Sequence, residues 1–319
     1  MARTYQLSAE MRSFVNQSAL FHAADDSLVA MRAAYSALCR HFTAPLPDGV
    51  QLEDHVLPVD GRHIPLRLYR PATTSPSAGW PCVLYLHGGG WILGDLDSYA
   101  VIAAPLALAC AAAVLVVDYR LAPEHVFPAA FDDCLALWDR LRVDGLQLGI
   151  NTTRVVVAGD SAGGNLAAAL CLAVRGRAGP ALCGQVLIYP VLAAVPTEPA
   201  ASEHADAPLF GRHDMAYCLA QYAPDPATHA DPRLAPLAAA SLQGLPPAFI
   251  AVAEYDPLRD DGLCYARRLQ RSGVATECYL AHGLLHGCLR FWQQGCQTAR
   301  MYRALVVAMR RMLADHSSD

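Results

Sequence analysis

Val155-Val156-Val157-Ala158-Gly159-Asp160-Ser161-Ala162-Gly163-Gly164-Asn165 is the stretch on which the reading of this chain turns. Its first residues form a β-branched apolar run with the make-up of a buried strand. From Ala162 to Val174 the residues are small or apolar and read as a helix. A serine at such a strand–turn–helix corner is forced into a strained backbone conformation. Its neighbours must then be very small, which accounts for Gly159 and Gly163. The corner lifts Oγ out of the sheet, and the helix N-terminus behind it supplies N–H groups and positive dipole. An ordinary glycine-rich turn would explain the glycines alone but not their place between strand and helix. A dinucleotide loop would need GxGxxG, which is absent.

Outward from this corner the chain alternates. Strand-like runs fall at Val50–Leu57, His63–Tyr69, Cys82–Leu86, Ala113–Asp118, Val155–Ala158, Gln185–Tyr189, Ala248–Ala253 and Thr276–Leu280. Helix-like runs lie between the later ones: Ser98–Cys110, Pro128–Arg142, Ala162–Val174, Arg259–Arg271 and Phe291–Ala314. Phe131, Leu135, Trp138 and Leu141 show the three- and four-residue spacing of a helix face. Pro128 suits a first turn and Gly273 a C-terminal cap. The alternation predicts an α/β fold with a largely parallel sheet covered on both faces. The first two strands are joined only by Asp60-Gly61-Arg62, which predicts an antiparallel hairpin at one edge. Residues 1–48 read as helical without a strand. Residues 191–235 are rich in Pro, Asp and His, with a helical stretch near Asp214–Tyr222. Neither is long enough to be a domain, and together they could cover the core as a lid.

With 54% hydrophobic and 17% charged residues in 319, the chain can bury a sizeable core. A net charge of −5 without a Lys/Arg run gives no reason to expect nucleic acid as a partner. The eleven cysteines show neither CxxC nor Cys/His ligand spacing, so neither a disulfide framework nor a zinc site is expected. Cys82, Cys171 and Cys183 read as small buried hydrophobes. Free thiols and the polar first sixteen residues, which lack an apolar signal stretch, point to a cytoplasmic location. Ala100–Val117 is uncharged for 18 residues, the minimum for a membrane span. It contains Pro105, however, and divides into an Ala/Leu helix and a short strand. A span there would separate motifs that have to meet.

Three further motifs carry chemistry. Cys82–Leu86 runs into His87-Gly88-Gly89-Gly90-Trp91, and three glycines after a buried strand make sense where backbone N–H groups approach a ligand. An oxyanion hole needs such donors, each worth on the order of 10²–10³ in rate. Asp256, in Glu254-Tyr255-Asp256-Pro257, lies just past a strand end, where an acid can face the site. A helix cap competes as its explanation, and Glu254, Asp260 and Asp261 are rivals, the last two resembling helix N-terminal charges. In His282-Gly283-Leu284-Leu285-His286-Gly287, either histidine could be the base. Local pattern favours His286, farther past the last strand. Ser161, then the acid, then the histidine is the chain order of α/β hydrolases.

Taken together the motifs resemble the hormone-sensitive lipase family of esterases. The resemblance rests on His87–Trp91 with Gly94-Asp95-Leu96-Asp97, and on Asp118-Tyr119-Arg120-Leu121-Ala122-Pro123-Glu124-His125 with Phe127–Ala130. The Ser161 corner, Asp256–Asp260 and His286-Gly287 complete it. It covers about residues 50–290. It implies an α/β-hydrolase fold over residues 1–319, with a mostly parallel eight-stranded sheet flanked by helices. A helical cap would come from about 1–48 and 191–235, and the catalytic core from about 49–190 and 236–319. It also implies an oxyanion hole from the backbone of Gly88, Gly89 and Ala162, and singles out His286 and Asp256. Two positions depart from the family: Cys288 replaces the usual Phe, and Asp261 the usual Glu. A smaller residue at 288 is expected to widen the pocket beside His286.

The expected activity is hydrolysis of short to medium acyl esters through an acyl-enzyme on Ser161, with no metal or organic cofactor. Activity should rise with pH around neutrality as the base loses its proton. An amidase or arylformamidase would use the same triad. A ligand-binding receptor of this fold would have lost a triad member. A homodimer is compatible with the sequence.

Overall fold

The computed structural model describes residues 4–59, 61–177 and 181–314. Asp60 of the expected hairpin turn, residues 1–3 of the expected cap and 315–319 of the expected core lie outside them.

Two helices, α1 (Ala9–Ser18) and α2 (Leu28–Phe42), precede the first strand. The sheet is built from β1 (Val50–Val59), β2 (Arg62–Pro71), β3 (Trp80–Leu86), β4 (Ala113–Val117), β5 (Ile150–Asp160), β6 (Gly184–Ile188), β7 (Ala248–Tyr255) and β8 (Thr276–Leu285). Its spatial order is β1-β2-β4-β3-β5-β6-β7-β8. β1 and β2 pair antiparallel, as do β2 and β4, and every other pair is parallel. The interleaved helices are α3 (Ala100–Cys110), α4 (Ala129–Asp144), α5 (Ala162–Val174), the short α6 (Ala200–Glu203), α7 (Arg212–Tyr222), α8 (Arg259–Arg271) and α9 (Cys296–Met312).

Strand alternation sorts the core into two layers. Leu84, Val155, Val157, Leu187 and Ile250 face the side covered by Phe131 and Trp138 of α4, Leu166 and Leu170 of α5, and Leu269 of α8. Val83, Val114, Val156, Val186 and Phe249 face the opposite side, against Ile102 and Leu106 of α3 and Met301, Leu305 and Met309 of α9. With both faces covered, the central strands are continuous apolar runs, and each fully buried Val, Leu or Ile contributes about 1.5–3 kcal/mol. The apolar run at 100–117 is split as expected into α3 and β4. Among the described residues no helix is long and apolar enough to cross a membrane.

Some details differ from the sequence expectations. The last helix begins at Cys296 rather than Phe291. Cys288–Phe291 is a single 3-10 turn, and Gly295 is extended (φ −119°, ψ 139°) before the helix starts. All eleven cysteines are free, with Cys82 and Cys171 buried, but Cys183 is only half-buried, its Sγ 3.2 Å from the Thr153 carbonyl.

Charged side chains fasten the irregular segments to the core. From α2, Arg32 makes a two-pronged ion pair with Glu124, both contacts 2.8 Å, and also donates to the carbonyls of Ile92 and Ala122. Asp261 and Asp260 lie in the first turn of α8, as read from the sequence, and also serve the segment after β6. Asp261 accepts from the backbone N–H of Leu192, Ala193 and Thr197, and Asp260 from that of Ala200.

Candidate active site

Ser161 stands between β5 and α5 with φ 55° and ψ −119°. This region is sparsely populated by residues with a Cβ and costs on the order of 1–3 kcal/mol. The conformation is held from both sides: Ser161 N–H donates to the Ile188 carbonyl at 2.8 Å, and its own carbonyl accepts from Asn165 N–H at 3.0 Å. A Cβ on Gly163 would collide with the carbonyls of Leu86 and His87, and one on Gly159 with the backbone of Gly163. The small flanking residues are therefore required by close backbone approach.

The parallel strands bring the other candidates to the same edge. Asp256 follows β7 and is fully buried. Its Oδ1 accepts from Leu258 N–H at 2.8 Å, fixing the carboxylate, and its Oδ2 lies 2.7 Å from His286 Nδ1. His286 follows β8, and its Nε2 is 2.9 Å from Ser161 Oγ. An ionised Asp256 is acceptor-only, so Nδ1 carries the proton and Nε2 is left to accept from Oγ. Phe210 stacks on the imidazole with ring centroids 4.3 Å apart, and Tyr189 packs at 4.7 Å. The rival residues lie elsewhere. His282 is 76% exposed within β8 beside Glu254, whose carboxylate accepts from Gly283 N–H.

The glycine-rich loop modifies one expectation. The Gly88 N–H donates to Asp160 Oδ1 at 3.2 Å, and a Cβ there would press on Asp160 and Tyr99. Gly88 thus faces the carboxylate next to Ser161 and does not line the cavity above it. Gly89 (φ 116°) and Gly90 (φ 62°) do line that cavity with Ser161, in conformations that favour glycine. Their N–H groups donate to no other group among the described residues. Ala162, first in α5, has no acceptor within its helix. The free donors beside Ser161 are therefore those of Gly89, Gly90 and Ala162, with Gly90 in place of Gly88. His87 supports the loop from beneath: its Nδ1 is 2.8 Å from the Gly88 carbonyl and its ring stacks on Tyr119 at 4.1 Å. Burial pushes its pKa down to about 4.

The cavity measures about 340 Å³. Its walls are largely apolar, with Phe14, Phe21, Met31 and Leu38 from the N-terminal segment and Phe210 and Tyr217 from the segment after β6. Asp160 is buried in its floor, accepting from the hydroxyls of Tyr85 (3.0 Å) and Tyr99 (3.2 Å). Cys288 does not widen this space. It is fully buried and packs in the core layer with α9, turned away from the cavity walls. Among the described residues no group of three or more His, Cys, Asp or Glu side chains could hold a metal ion. Phe210, Asp160 and Gly90 were not singled out from sequence. The last two stand inside the quoted motifs, but nothing in the pattern marks Phe210.

A family model described as an α/β-hydrolase fold matches residues 83–290. Carboxylesterase NlhH of Mycobacterium tuberculosis is 42% identical over 251 residues, which is 77% of each chain. The ethyl acetate hydrolase of Pseudomonas putida is 40% identical over 234 residues, 72% of this chain and 73% of that one. Among solved structures, the hyperthermophilic esterase from Pyrobaculum calidifontis superposes with a TM-score of 0.89 at 32% identity, covering 97% of this chain and 99% of that one. The chain belongs to the hormone-sensitive-lipase-like family of α/β hydrolases.

Proposed function

We infer that this chain is a carboxylic ester hydrolase that works through a serine acyl-enzyme. The observation that carries the reading is the continuous hydrogen-bonded line from Asp256 through His286 to Ser161, ending in an apolar cavity beside unused N–H donors. Ser161 Oγ attacks the ester carbonyl as His286 Nε2 takes its proton. Asp256 holds the imidazole tautomer and stabilises the imidazolium. The tetrahedral oxyanion is taken by the N–H groups of Gly89, Gly90 and Ala162. His286 then protonates the leaving alcohol, and water repeats the sequence in the opposite sense to release the acid. A carboxylesterase and an ethyl acetate hydrolase among the relatives support the ester reading.

The substrate range is short to medium acyl esters. Support comes from the size of the cavity, about 340 Å³, and from the aromatic side chains that bound it. The segments at about 1–48 and 191–235 act as its cap: each contributes cavity wall and each is fastened to the core by buried or paired carboxylates. We place the enzyme in the cytoplasm on the strength of its eleven unpaired thiols. A homodimer through one of the two edge strands, β1 or β8, is compatible with this sheet order. The amidase alternative is tested with a matched p-nitrophenyl ester and p-nitroanilide. Ester turnover well above amide turnover is expected, and the reverse ratio would overturn the reading.

A further inference from the structure

Asp160 occupies an unusual position: a buried carboxylate immediately before the nucleophile, with no basic side chain bonded to it among the described residues. A hydrogen-bonded line instead connects it to a cation some distance off. Tyr99 donates to Asp160 Oδ2 at 3.2 Å, and the Tyr99 and Tyr35 hydroxyls are 3.1 Å apart. Arg290 Nη2 donates to the Tyr35 hydroxyl at 3.0 Å. An arginine can only donate and a carboxylate can only accept, and each hydroxyl has one proton. The direction of every bond is therefore fixed: Arg290 to Tyr35 to Tyr99 to Asp160.

Both ends of this line touch the reaction machinery. At one end Asp160 Oδ1 takes the Gly88 N–H, which anchors the loop whose next two residues present the free donors. At the other, Arg290 Nε donates to the carbonyl of Gly287, the residue after His286, and its guanidinium lies 5.0 Å over the Tyr35 ring. The middle passes through Tyr35 of α2, in the N-terminal segment that walls the cavity. Burial pushes Asp160 up from the usual carboxylate range, while Arg290 and the tyrosine hydroxyls act in the opposite direction.

We propose that Asp160 is a positioning residue for the oxyanion-hole loop, and that Arg290, Tyr35 and Tyr99 are the relay that holds it in place. The proposal rests on the ester-hydrolase reading and deepens it. It assigns a positioning role to groups that touch no reacting atom, and it ties the N-terminal segment to transition-state stabilisation. Losing the clamp leaves Gly89 and Gly90 present but misaligned. The loss should fall on kcat and be smaller than the roughly 10²–10³ that follows from deleting a donor outright.

The experiment compares wild type with Asp160→Asn, Tyr35→Phe, Tyr99→Phe and the Tyr35→Phe/Tyr99→Phe pair. Kinetics are measured on p-nitrophenyl acetate and normalised to active sites titrated with an organophosphonate. An alkylboronic acid, which forms a tetrahedral adduct on a serine, serves as the transition-state probe. Asp160→Asn should lower kcat about tenfold to a hundredfold with KM little changed. Boronate affinity should fall by the same factor as kcat/KM. The tyrosine pair should lose less than the product of its single losses, because one broken link already interrupts the line. Arg290→Lys keeps the charge but not the fork that reaches both Tyr35 and Gly287, and should recover part of what Arg290→Met loses.

Variants that keep kcat and boronate affinity while only their unfolding temperature falls would overturn the proposal, leaving a brace for the fold. A change confined to KM would do the same. Should Asp160→Asn fail to fold, Tyr35→Phe removes a single hydroxyl from the same line and is read by the same two measurements. An active wild type with indifferent variants counts against the relay alone. A wild type with no ester turnover counts against the ester reading and takes the relay with it.

Discussion

Asp256 Oδ2 and His286 Nδ1 lie 2.7 Å apart, although 30 residues of chain separate them. The register of β7 with β8 produces this meeting. Ala253 pairs with Ala281 and Tyr255 with Leu285, so a β-bulge in the ladder advances the histidine to face the acid. Asp256 is fully buried and its second oxygen is taken by Leu258 N–H, so the carboxylate has one orientation available.

Asp256→Asn keeps the shape but turns an amide toward Nδ1, which selects the wrong imidazole tautomer. A loss of kcat on the order of 10⁴ is expected, with KM little changed. His282→Ala, at an exposed position, should leave kcat within about twofold of wild type. Steady-state kinetics on one ester check both, and a large loss in His282→Ala would reassign the base.

Gly163→Ala forces a Cβ into the carbonyls of Leu86 and His87. Relief requires β3 or α5 to move, so a destabilisation above about 3 kcal/mol is expected. A urea titration against wild type measures it. A variant of unchanged midpoint would show that the corner has more room than its geometry gives.

His87 links stability to pH. Burial holds its folded-state pKa at about 4, below the ordinary value of 6.5. The neutral ring is thus the native form, and its contribution is present in full above pH 6.5. As pH falls from 6.5 through 4 the unfolded chain takes up a proton that the folded chain refuses, and stability declines by roughly 3 kcal/mol. Comparing urea midpoints at pH 7.5 and 4.5 for wild type and His87→Asn isolates this share. The variant should show a shallower fall, and parallel curves would contradict the assignment.

Phe210 covers the imidazole at 4.3 Å and walls the cavity. Phe210→Ala should extend turnover to longer acyl chains while lowering kcat on acetate, since His286 loses its stacking partner. An acyl-length profile identical to wild type would remove Phe210 from the specificity wall.

The central strands and the main interleaved helices were legible because strands covered on both faces become unbroken apolar runs, and amphipathic helices carry their own period. The Ser161 corner was equally legible, since close backbone approach leaves only glycine at 159 and 163. The assignment within the glycine run was not. Gly88, Gly89 and Gly90 are alike in sequence, and Asp160, by taking the Gly88 N–H, decides which ones are free. The direction of Cys288 was hidden for a related reason: the 3-10 turn after Gly287 rotates it into the core. Phe210 reaches the site only through packing of segments far apart in the chain, and Arg290, although four residues past His286, meets Tyr35 by the same kind of packing; neither has a local signature.

The account is tested most directly by the hydrolysis of p-nitrophenyl esters of graded acyl length by wild type and Ser161→Ala at pH 8. Turnover strongest on short chains and lost in the variant is the predicted result. Turnover that survives in Ser161→Ala, or a wild type inactive on every chain length, would contradict it.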